Sequence, residues 1–262
     1  MSRLGLFLVI ISAVSVFSAV IPPINRIVGG EDTTIYDYPH QVSIRNRPIF
    51  CPQCPYSHFC GGSIIAKNIV LTSAHCVDDR AAKTFAVVAG SNNRAGADGF
   101  IVMVKAIYMH EKYDIWSVDN DVALLHLAQD LPITYKSAPI ELADVLPNSG
   151  ELSTITGWGE TVLNGDYSDK LRSVQVPILD KEDCQNAYKY ENITNNMVCA
   201  GYKEGGRDMC KGDSGGPLIY KNKQIGIVSW GYECGSPSYP GVYTSVPAER
   251  DWIIKTINLI NK

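Results

Sequence analysis

Short runs of apolar and β-branched residues dominate the middle of the chain, and Gly, Pro or Asn separates one run from the next. Regularly spaced short strands with turn residues between them favour an all-β barrel or sandwich. The strands that this pattern predicts are Val42–Ile44, Ser63–Ala66, Ile69–Thr72, Phe85–Val88, Ile101–Ile107, Val122–Leu127, Leu152–Thr156, Leu218–Tyr220 and Gln224–Trp230.

Helical spacing is clear only near the end of the chain. There, apolar residues recur at steps of three and four, which predicts a helix with one packed face over about 248–261. The residues of this stripe are Trp252, Ile253, Ile257 and Ile260. A proline-rich break at 131–147 indicates the connection between two β units.

The first residues have the pattern of a secretory signal peptide, with Arg3 followed by an apolar stretch from Leu4 to Phe17. We expect cleavage after Ser18, so residues 1–18 form the predicted signal and the protein is expected to be secreted and extracellular. The alternative is an uncleaved membrane anchor, because residues 4–24 carry no charge and are long enough to span a bilayer.

Composition narrows the function classes. The 262 residues are 45% apolar with a formal charge of −4 and no long run of either sign, so no electrostatic footprint for nucleic acid or an anionic membrane is present. Eight cysteines in a secreted chain predict four disulfides, whose pairing the count leaves open. Nothing has the paired spacing of a structural zinc site, and we expect no metal or cofactor.

Candidate chemistry centres on residues 208–217, where Ser214 stands among three glycines. Glycine permits unusual backbone angles and close approach of a substrate carbonyl to main-chain N–H groups. These are the local requirements of a serine nucleophile beside an oxyanion hole. The alternative is a surface turn without chemistry, because Asp, Ser, Gly and Pro are also common turn residues.

Two further residues lie at strand ends: His75 follows one apolar run, and Asp121 precedes another. Either residue alone is more often structural than catalytic. Together with Ser214 they supply what a hydroxyl nucleophile needs, namely a base whose pKa is near neutral and a group that orients that base.

Three motifs, following Arg26-Ile27-Val28-Gly29-Gly30 in this order, resemble those of the chymotrypsin-fold serine peptidases: TSAHC at 72–76, DNDVALL at 119–125 and GDSGGP at 212–217. The resemblance runs from Ile27 to the C-terminus. It implies two antiparallel six-stranded β-barrels packed around a catalytic cleft, with a C-terminal α-helix. The first barrel would span about 27–135, the second about 136–247 and the helix about 248–261.

The resemblance also implies roles for single residues. Ser214 would be the nucleophile, His75 the general base and then acid, and Asp121 the group that orients His75. The N–H groups of Gly212 and Ser214 would form the oxyanion hole. Residues 19–26 would be an activation propeptide, and cleavage after Arg26 would free an Ile27 ammonium to pair with Asp213.

A trypsin-like specificity follows from the same resemblance. Asp208 would form the floor of the primary pocket, with Gly231 and Gly241 on its walls, so that cleavage occurs after Arg or Lys. Met209 replaces a small or hydroxyl residue, and since its thioether is a weak acceptor we expect Arg to be preferred. The remaining substrate-binding candidates are Ser229 and Trp230.

The implied disulfides are Cys60–Cys76, Cys184–Cys199 and Cys210–Cys234, a three-bridge pattern similar to that of invertebrate trypsins. Cys51 and Cys54 lie in an extended loop, and a local bridge between them is expected; a redox CxxC or an intermolecular link is the alternative. The loop where trypsins hold calcium, about 90–100, offers Ser91 and a single acid, Asp98, which is too few hard oxygen ligands.

Asn192 begins the single glycosylation sequon. Expected partners are protein or peptide substrates, an activating protease that could be the enzyme itself, and protein inhibitors of proteases, with no nucleic acid and no membrane. The protein is expected to be a monomer. A different class of function, a peptidase-shaped binding protein without catalysis, is the alternative.

Overall fold

The computed structural model describes residues 28–96 and 98–262. Over these residues the chain is mostly β, with fourteen strands, a short α-helix and a C-terminal α-helix. The predicted signal, the predicted propeptide, Arg26 and Ile27 lie outside the described residues. No helix in the described part is long and apolar enough to cross a membrane.

A short strand, β1 (Glu31–Asp32), comes first, and the next six strands form a closed antiparallel barrel in the order β2-β3-β4-β7-β6-β5. Its interior holds the alternate apolar residues of each strand, including Val42, Ile44, Val70 and Leu125. The barrel strands are β2 (Gln41–Asn46), β3 (Ser57–Ala66), β4 (Ile69–Thr72), β5 (Phe85–Ala89), β6 (Phe100–Met109) and β7 (Ala123–Leu127).

Strands β4 and β7 are apolar on both faces because both faces are buried. Val70 points into the barrel, whereas Ile69 and Leu71 join a second cluster with Leu124 and with Ile253 of the C-terminal helix. A continuous apolar run is typical of a strand covered on both sides. This double burial fixes the strand pair from which the candidate catalytic residues extend.

The second unit is an eight-stranded sheet in the order β1-β10-β9-β12-β13-β14-β11, with β8 pairing with β13 in parallel. The strands not yet given are β8 (Glu141–Leu142), β9 (Leu152–Gly157), β10 (Arg172–Pro177), β11 (Met197–Ala200), β12 (Pro217–Tyr220), β13 (Lys223–Trp230) and β14 (Gly241–Ser245). The sequence pattern did not predict β1, β8, β10, β11 or β14.

The expected second barrel is found only in part, because its sheet is not closed by a continuous ladder. Strands β10 and β11 meet at an isolated bridge between Ile178 and Ala200. Two backbone hydrogen bonds flank this bridge, from Gly201 N to the Pro177 carbonyl at 3.0 Å and from Leu179 N to the Cys199 carbonyl at 2.9 Å. Residues 31–32, expected within the first barrel, pair instead with β10 of the second sheet.

Two α-helices complete the second half. The first, α1 (Lys181–Ala187), was not predicted, and the second, α2 (Val246–Ile260), begins two residues before its expected start. Ile253 of α2 is fully buried, and Trp252, Ile257 and Ile260 pack against the same cluster, as the apolar stripe predicted. The helix therefore packs against both sheets and is not a free amphipathic surface.

All eight cysteines of the chain are paired. The bridges are Cys51–Cys54, Cys60–Cys76, Cys184–Cys199 and Cys210–Cys234. The last three are the pairs that the resemblance implies, and the first closes a local loop of the β2–β3 connection.

Candidate active site

Strand register brings His75 and Asp121 together. Antiparallel pairing of β4 with β7 places Thr72 opposite Ala123. His75 lies three residues beyond Thr72, in the 3₁₀ turn Ala74–Cys76, and Asp121 lies two residues before Ala123. Both residues therefore leave the same end of one strand pair.

Asp121 is fully buried and accepts hydrogen bonds at both carboxylate oxygens. Oδ1 accepts from the backbone N–H of His75 at 2.9 Å, and Oδ2 lies 2.7 Å from Nδ1 of the same histidine. Ser229 donates its hydroxyl to Oδ2 at 2.6 Å, and the Thr244 hydroxyl donates to the Asp121 carbonyl at 2.9 Å. Ser229, expected among the substrate-binding residues, thus uses its hydroxyl to fix Asp121.

The contact with Asp121 sets the protonation of His75. A carboxylate only accepts, so Nδ1 carries the proton and the other ring nitrogen, Nε2, is left able to accept one. Burial alone would lower the pKa of His75, but the charge and hydrogen bond of Asp121 outweigh it and raise the pKa above 6.5. The imidazole is therefore a base poised near neutral pH.

Ser214 lies next to His75 through its backbone. Gly61 N donates to the Ser214 carbonyl at 2.8 Å, and Sγ of Cys76, the residue after His75, lies 3.7 Å from that oxygen. Within residues 28–96 and 98–262 no hydrogen bond joins the Ser214 hydroxyl to His75. Catalytic hydrogen bonds are often loose before substrate binds, so this is compatible with a nucleophile and its base.

Gly215 makes this approach possible. Its φ is +79°, and a Cβ at this position would lie 2.1 Å from Oγ1 of Thr72 and 2.6 Å from the Gly61 carbonyl. Only glycine fits against the first barrel here. The GDSGGP motif therefore carries a packing requirement as well as a nucleophile.

Two backbone donors beside Ser214 are free. In the part of the chain that the structure describes, the N–H groups of Gly212 and Ser214 donate to no protein acceptor, whereas those of Asp213, Gly215 and Gly216 all do. Unused N–H groups on either side of Asp213 are what an oxyanion would occupy. The carbonyl of Gly212 lies 3.0 Å from Nε2 of the buried His58.

Asp213 is fully buried and holds two backbone donors, Gly159 N at 2.8 Å and Cys210 N at 3.0 Å. Burial raises its pKa to about 6, and these two hydrogen bonds oppose the rise. Among the described residues it forms no ion pair. Its expected partner, Ile27, lies outside the described residues. The next residue, Val28, lies beside Asp208, whose N–H donates to the Val28 carbonyl at 3.2 Å.

Asp208 lies at a second buried position, 4% exposed. Met209 N donates to Oδ1 at 2.8 Å and Gly235 N to Oδ2 at 3.1 Å, yet burial still raises the pKa of Asp208 to about 7. A Cβ on Gly241 would lie 2.7 Å from Oδ1, and a Cβ on Gly231 would lie 3.6 Å from the Met209 methyl. The structure thus brings together the expected floor and wall residues of one pocket.

Sequence reasoning missed Tyr243, whose hydroxyl lies beside Gly241. A Cβ on Gly241 would lie 2.9 Å from its hydroxyl, which is buried without a hydrogen-bond partner in the described part of the chain. Because side chains two apart on a strand share a face, the position of Tyr243 two residues after Gly241 was the available signal.

An aromatic cluster was also missed. The Tyr188 ring centroid lies 4.8 Å from that of Trp230, one of the expected substrate-binding residues. Tyr232 and Tyr239 extend the cluster, with centroids 5.3 and 5.5 Å from Tyr188. Tyr188 follows α1, Trp230 ends β13, and the other two residues lie in the connection from β13 to β14. No local motif in the sequence therefore marks the cluster.

The sequon at Asn192 lies in this half of the molecule. Asn192 is exposed, and the Thr194 hydroxyl donates to Oδ1 of Asp119 at 2.7 Å. The asparagine is thus accessible, while the threonine of the sequon is engaged with the loop that carries Asp121.

The described residues offer poor ligands for a metal. Cys60, His75 and Cys76 lie together, but both sulfurs are in a disulfide and cannot act as thiolates. In the 91–99 loop, the Ser91 hydroxyl donates to Oδ1 of Asp98 at 2.6 Å. The guanidinium of Arg45 already occupies two of the loop carbonyls, so this loop does not fit a calcium ion.

Comparison with known proteins gives a consistent result. The sequence model of the family described as Trypsin matches residues 27–253. The chain is 45% identical to Trypsin eta of Drosophila erecta, over 96% of each chain, and 46% identical to Trypsin eta of Drosophila melanogaster, over 95% of this chain and 94% of that one. It is 40% identical to the Vitellin-degrading protease of Bombyx mori, over 88% of this chain and 86% of the relative.

Proposed function

The chain belongs to the trypsin family of serine endopeptidases, and from this premise we propose that it is a secreted enzyme, made as a zymogen, that cleaves peptide bonds after Arg or Lys and prefers Arg. The observation that carries the proposal is the Asp121–His75 pair beside the Ser214 peptide, combined with the buried Asp208 six residues before Ser214. The comparisons give no support to a catalytically silent binding protein.

The proposed reaction proceeds through an acyl-enzyme. The Ser214 hydroxyl attacks the carbonyl carbon of the scissile peptide while Nε2 of His75 accepts its proton. Asp121 holds the resulting imidazolium, and the free N–H groups of Gly212 and Ser214 stabilise the oxyanion. His75 then returns the proton to the leaving amine, and water repeats the sequence to release the acid.

The proposed specificity rests on Asp208. A carboxylate that burial has deprived of water gains most from a bound cation, because the positive charge restores the ionised form. A guanidinium offers several N–H donors in a fixed plane, whereas an ammonium is a point charge that needs close acceptors around it. Since Met209 supplies only a weak acceptor, Arg should be the better substrate residue.

The proposed activation uses Arg26, Ile27 and Asp213. Cleavage after Arg26 would create the Ile27 ammonium, and Asp213 is a buried carboxylate with no ion-pair partner among the described residues. The position of Val28 beside Asp208 and Gly235 supports docking of this segment against the loop that leads to Asp213.

The proposed setting is extracellular. Four disulfides are typical of secreted proteins, and we propose that Asn192 is a glycan acceptor. Expected partners are protein substrates, an activating protease that could be the enzyme itself, and protein protease inhibitors, with the enzyme acting as a monomer. A relative named for vitellin degradation suggests vitellin as a candidate substrate.

The direct test is titration of the activated protein with an arginine-based phosphonate that labels a reactive serine. The wild type should be labelled once per chain and should hydrolyse arginyl peptide esters, whereas Ser214→Ala should do neither. Ser149→Ala, which changes an exposed serine outside the site, serves as the matched control. Absence of labelling in a chain with a verified Ile27 N-terminus would overturn the proposal.

A further inference from the structure

Arg45, on β2, is an arginine that the reaction does not use. It is only 7% exposed, and its Nη2 donates to the carbonyl of Arg94 at 2.7 Å and to that of Gly96 at 3.0 Å. A buried guanidinium needs acceptors for its donors, and here two carbonyls of the 91–99 loop provide them. These two carbonyls therefore bind a cation that belongs to the chain itself.

The same side chain begins a series of contacts that ends at Gly212. Nε of Arg45 donates to Oγ of Ser43 at 3.4 Å, Oγ of Ser43 lies 2.8 Å from Nδ1 of His58, and Nε2 of His58 lies 3.0 Å from the Gly212 carbonyl. All four of these residues are buried.

Donor and acceptor roles in this series follow from the two ends. A carbonyl only accepts, so Nε2 of His58 carries the proton, and Nδ1 must then accept from the Ser43 hydroxyl. The Ser43 oxygen in turn accepts from Arg45, which has only donors. Every hydrogen bond therefore points from Arg45 toward Gly212.

His58 is held neutral, as this arrangement requires. Burial lowers its pKa to about 4; the hydrogen bond to Gly212 opposes the shift, and the nearby charges of Arg94 and Arg45 add to it. A neutral imidazole carries one ring proton, and only the tautomer with this proton on Nε2 can both donate to the Gly212 carbonyl and accept from the Ser43 hydroxyl. The orientation of the Gly212 peptide is therefore tied to that of the His58 ring.

We propose that Arg45 is a positioning residue: its guanidinium serves as the internal cation of the 91–99 loop and, through Ser43 and His58, holds the Gly212 peptide in the orientation that oxyanion stabilisation needs. The proposal rests on the proposed role of Gly212. It also bears on why the described residues of this loop do not fit calcium, because two of their carbonyls, those of Arg94 and Gly96, are already bound to Arg45.

The first experiment compares two inhibitors on the activated enzyme. An argininal peptide aldehyde forms an oxyanion on Ser214, whereas benzamidine binds the Asp208 pocket without one. In Arg45→Met, we expect aldehyde affinity and kcat per titrated site to fall about tenfold, below the 100- to 1,000-fold cost of losing an oxyanion donor outright. Benzamidine affinity and KM should stay within twofold.

Two further variants separate the effect of Arg45 on the 91–99 loop from its effect on the Gly212 peptide. Ser43→Ala cuts the series between Arg45 and His58, so it should weaken the aldehyde but leave the loop intact. Arg45→Lys keeps a cation for the loop carbonyls and should recover most of the thermal stability that Arg45→Met loses. Arg250→Met, an arginine of α2 bound to Asp144, is the matched control and should leave both inhibitors unchanged.

The second experiment measures thermal unfolding in excess EGTA and in millimolar CaCl2, in the Ser214→Ala background that prevents self-digestion. The wild-type midpoint should be equal in both buffers, and Arg45→Met should lower it. A midpoint that rises with calcium would overturn the internal-cation part of the proposal. Equal loss of aldehyde and benzamidine binding, or no loss of aldehyde binding in either variant, would overturn the positioning part.

If the proposed function itself is wrong, the wild-type protein gives a different set of results. In that case the wild type itself would neither bind the aldehyde nor react with the phosphonate, while the thermal experiment would still report on Arg45 and the loop.

Discussion

Asp208 and Asp213 are two buried carboxylates in similar surroundings that are expected to bind different cations. Asp208 and Asp213 each hold two backbone N–H donors, and in each burial raises the pKa, to about 7 and about 6 respectively. A carboxylate in this state favours any cation that reaches it, because pairing offsets its desolvation. The residues differ in which cation is expected: a substrate side chain for Asp208 and the Ile27 ammonium for Asp213.

The pH dependence of activity follows from His75 and Asp208 together. His75, whose pKa is raised above 6.5, must be neutral to accept a proton, and Asp208, with a pKa of about 7, must be ionised to bind Arg. Both groups therefore have to lose a proton, so kcat/KM should rise with pH and its acid limb should be steeper than that of kcat. Bound Arg keeps Asp208 ionised, which leaves only His75 in the kcat profile.

Stopped assays on an arginyl peptide amide across acid to mildly alkaline pH measure both limbs. Asp208→Asn removes one ionisation and should reduce the kcat/KM limb to a single step. Identical limbs for kcat and kcat/KM in the wild type would contradict the role of Asp208.

Met209 is the residue expected to separate Arg from Lys. Its side chain is 7% exposed and its methyl lies near the Gly231 wall of the pocket. Met209→Ser would supply a hydroxyl acceptor, worth about 1 kcal/mol as a net hydrogen bond, so the Arg-to-Lys ratio of kcat/KM should fall several-fold. Matched peptide amides measure the ratio, with Met209→Leu as an apolar control that should leave it unchanged. A ratio of one in the wild type would refute the preference.

At the scale of elements, helix α2 joins the two units. Its N-cap, Ser245, ends β14, and the Ser245 hydroxyl accepts from Ala248 N at 3.4 Å. The helix then places Ile253 against Ile69 and Leu71 of β4 and against Ile227 of β13. The helix therefore stabilises β4, the strand from which the His75 turn extends.

Removing the cap should destabilise the protein. Ser245→Ala should lower the free energy of unfolding by about 1 kcal/mol, because one N–H of the first turn loses its acceptor. Denaturant unfolding in the Ser214→Ala background measures this, and Ser245→Thr, which keeps the hydroxyl, should lose less. Equal stability of the alanine variant and the wild type would show that the cap contributes nothing.

At the scale of the whole molecule, the candidate site exists only where the two sheets meet. Buried side chains cross this boundary, with Ser63 donating to Gln224 and Thr156 to Gln41, each at 2.6 Å. The bond from Gly61 N to the Ser214 carbonyl crosses it as well. The relative position of nucleophile and base therefore depends on the fit of the two units.

Activation is expected to depend on a contact between distant parts of the chain, the Ile27 ammonium and Asp213. In the Arg26→Gln precursor Asp213 would lack its ammonium partner, and leaving one side of a buried ion pair empty costs roughly 3–5 kcal/mol. Activity toward an arginyl ester should therefore be at least about a hundredfold below that of the cleaved wild type.

N-terminal sequencing establishes the state of each sample, and Arg26→Lys, which an Arg/Lys-specific protease still cuts, is the control. Full activity of an uncut Arg26→Gln chain would exclude the switch.

Local order was readable from the sequence. Apolar runs predicted β4 and β7 and their neighbours, and helical spacing predicted α2, because these elements bury regular faces. Strands β10 and β14 escaped, since they include Arg172, Pro177 and Gly241, whose place in a strand depends on partners far along the chain. Strands β1, β8 and β11 escaped because they have only two to four residues, too few to show a period. The candidate catalytic residues were identified through motifs, not through periodicity.

What the sequence determined by itself is the set of chemical groups and the local turns that present them: the strand before His75, the strand after Asp121 and the glycines around Ser214. Only the tertiary structure decided that β10 and β11 meet at an isolated bridge, that the Tyr243 hydroxyl lies beside Gly241 and that Arg45 binds the carbonyls of Arg94 and Gly96. The physical reason is that hydrogen bonds and burial between distant segments depend on packing in three dimensions, which no local pattern of residues encodes.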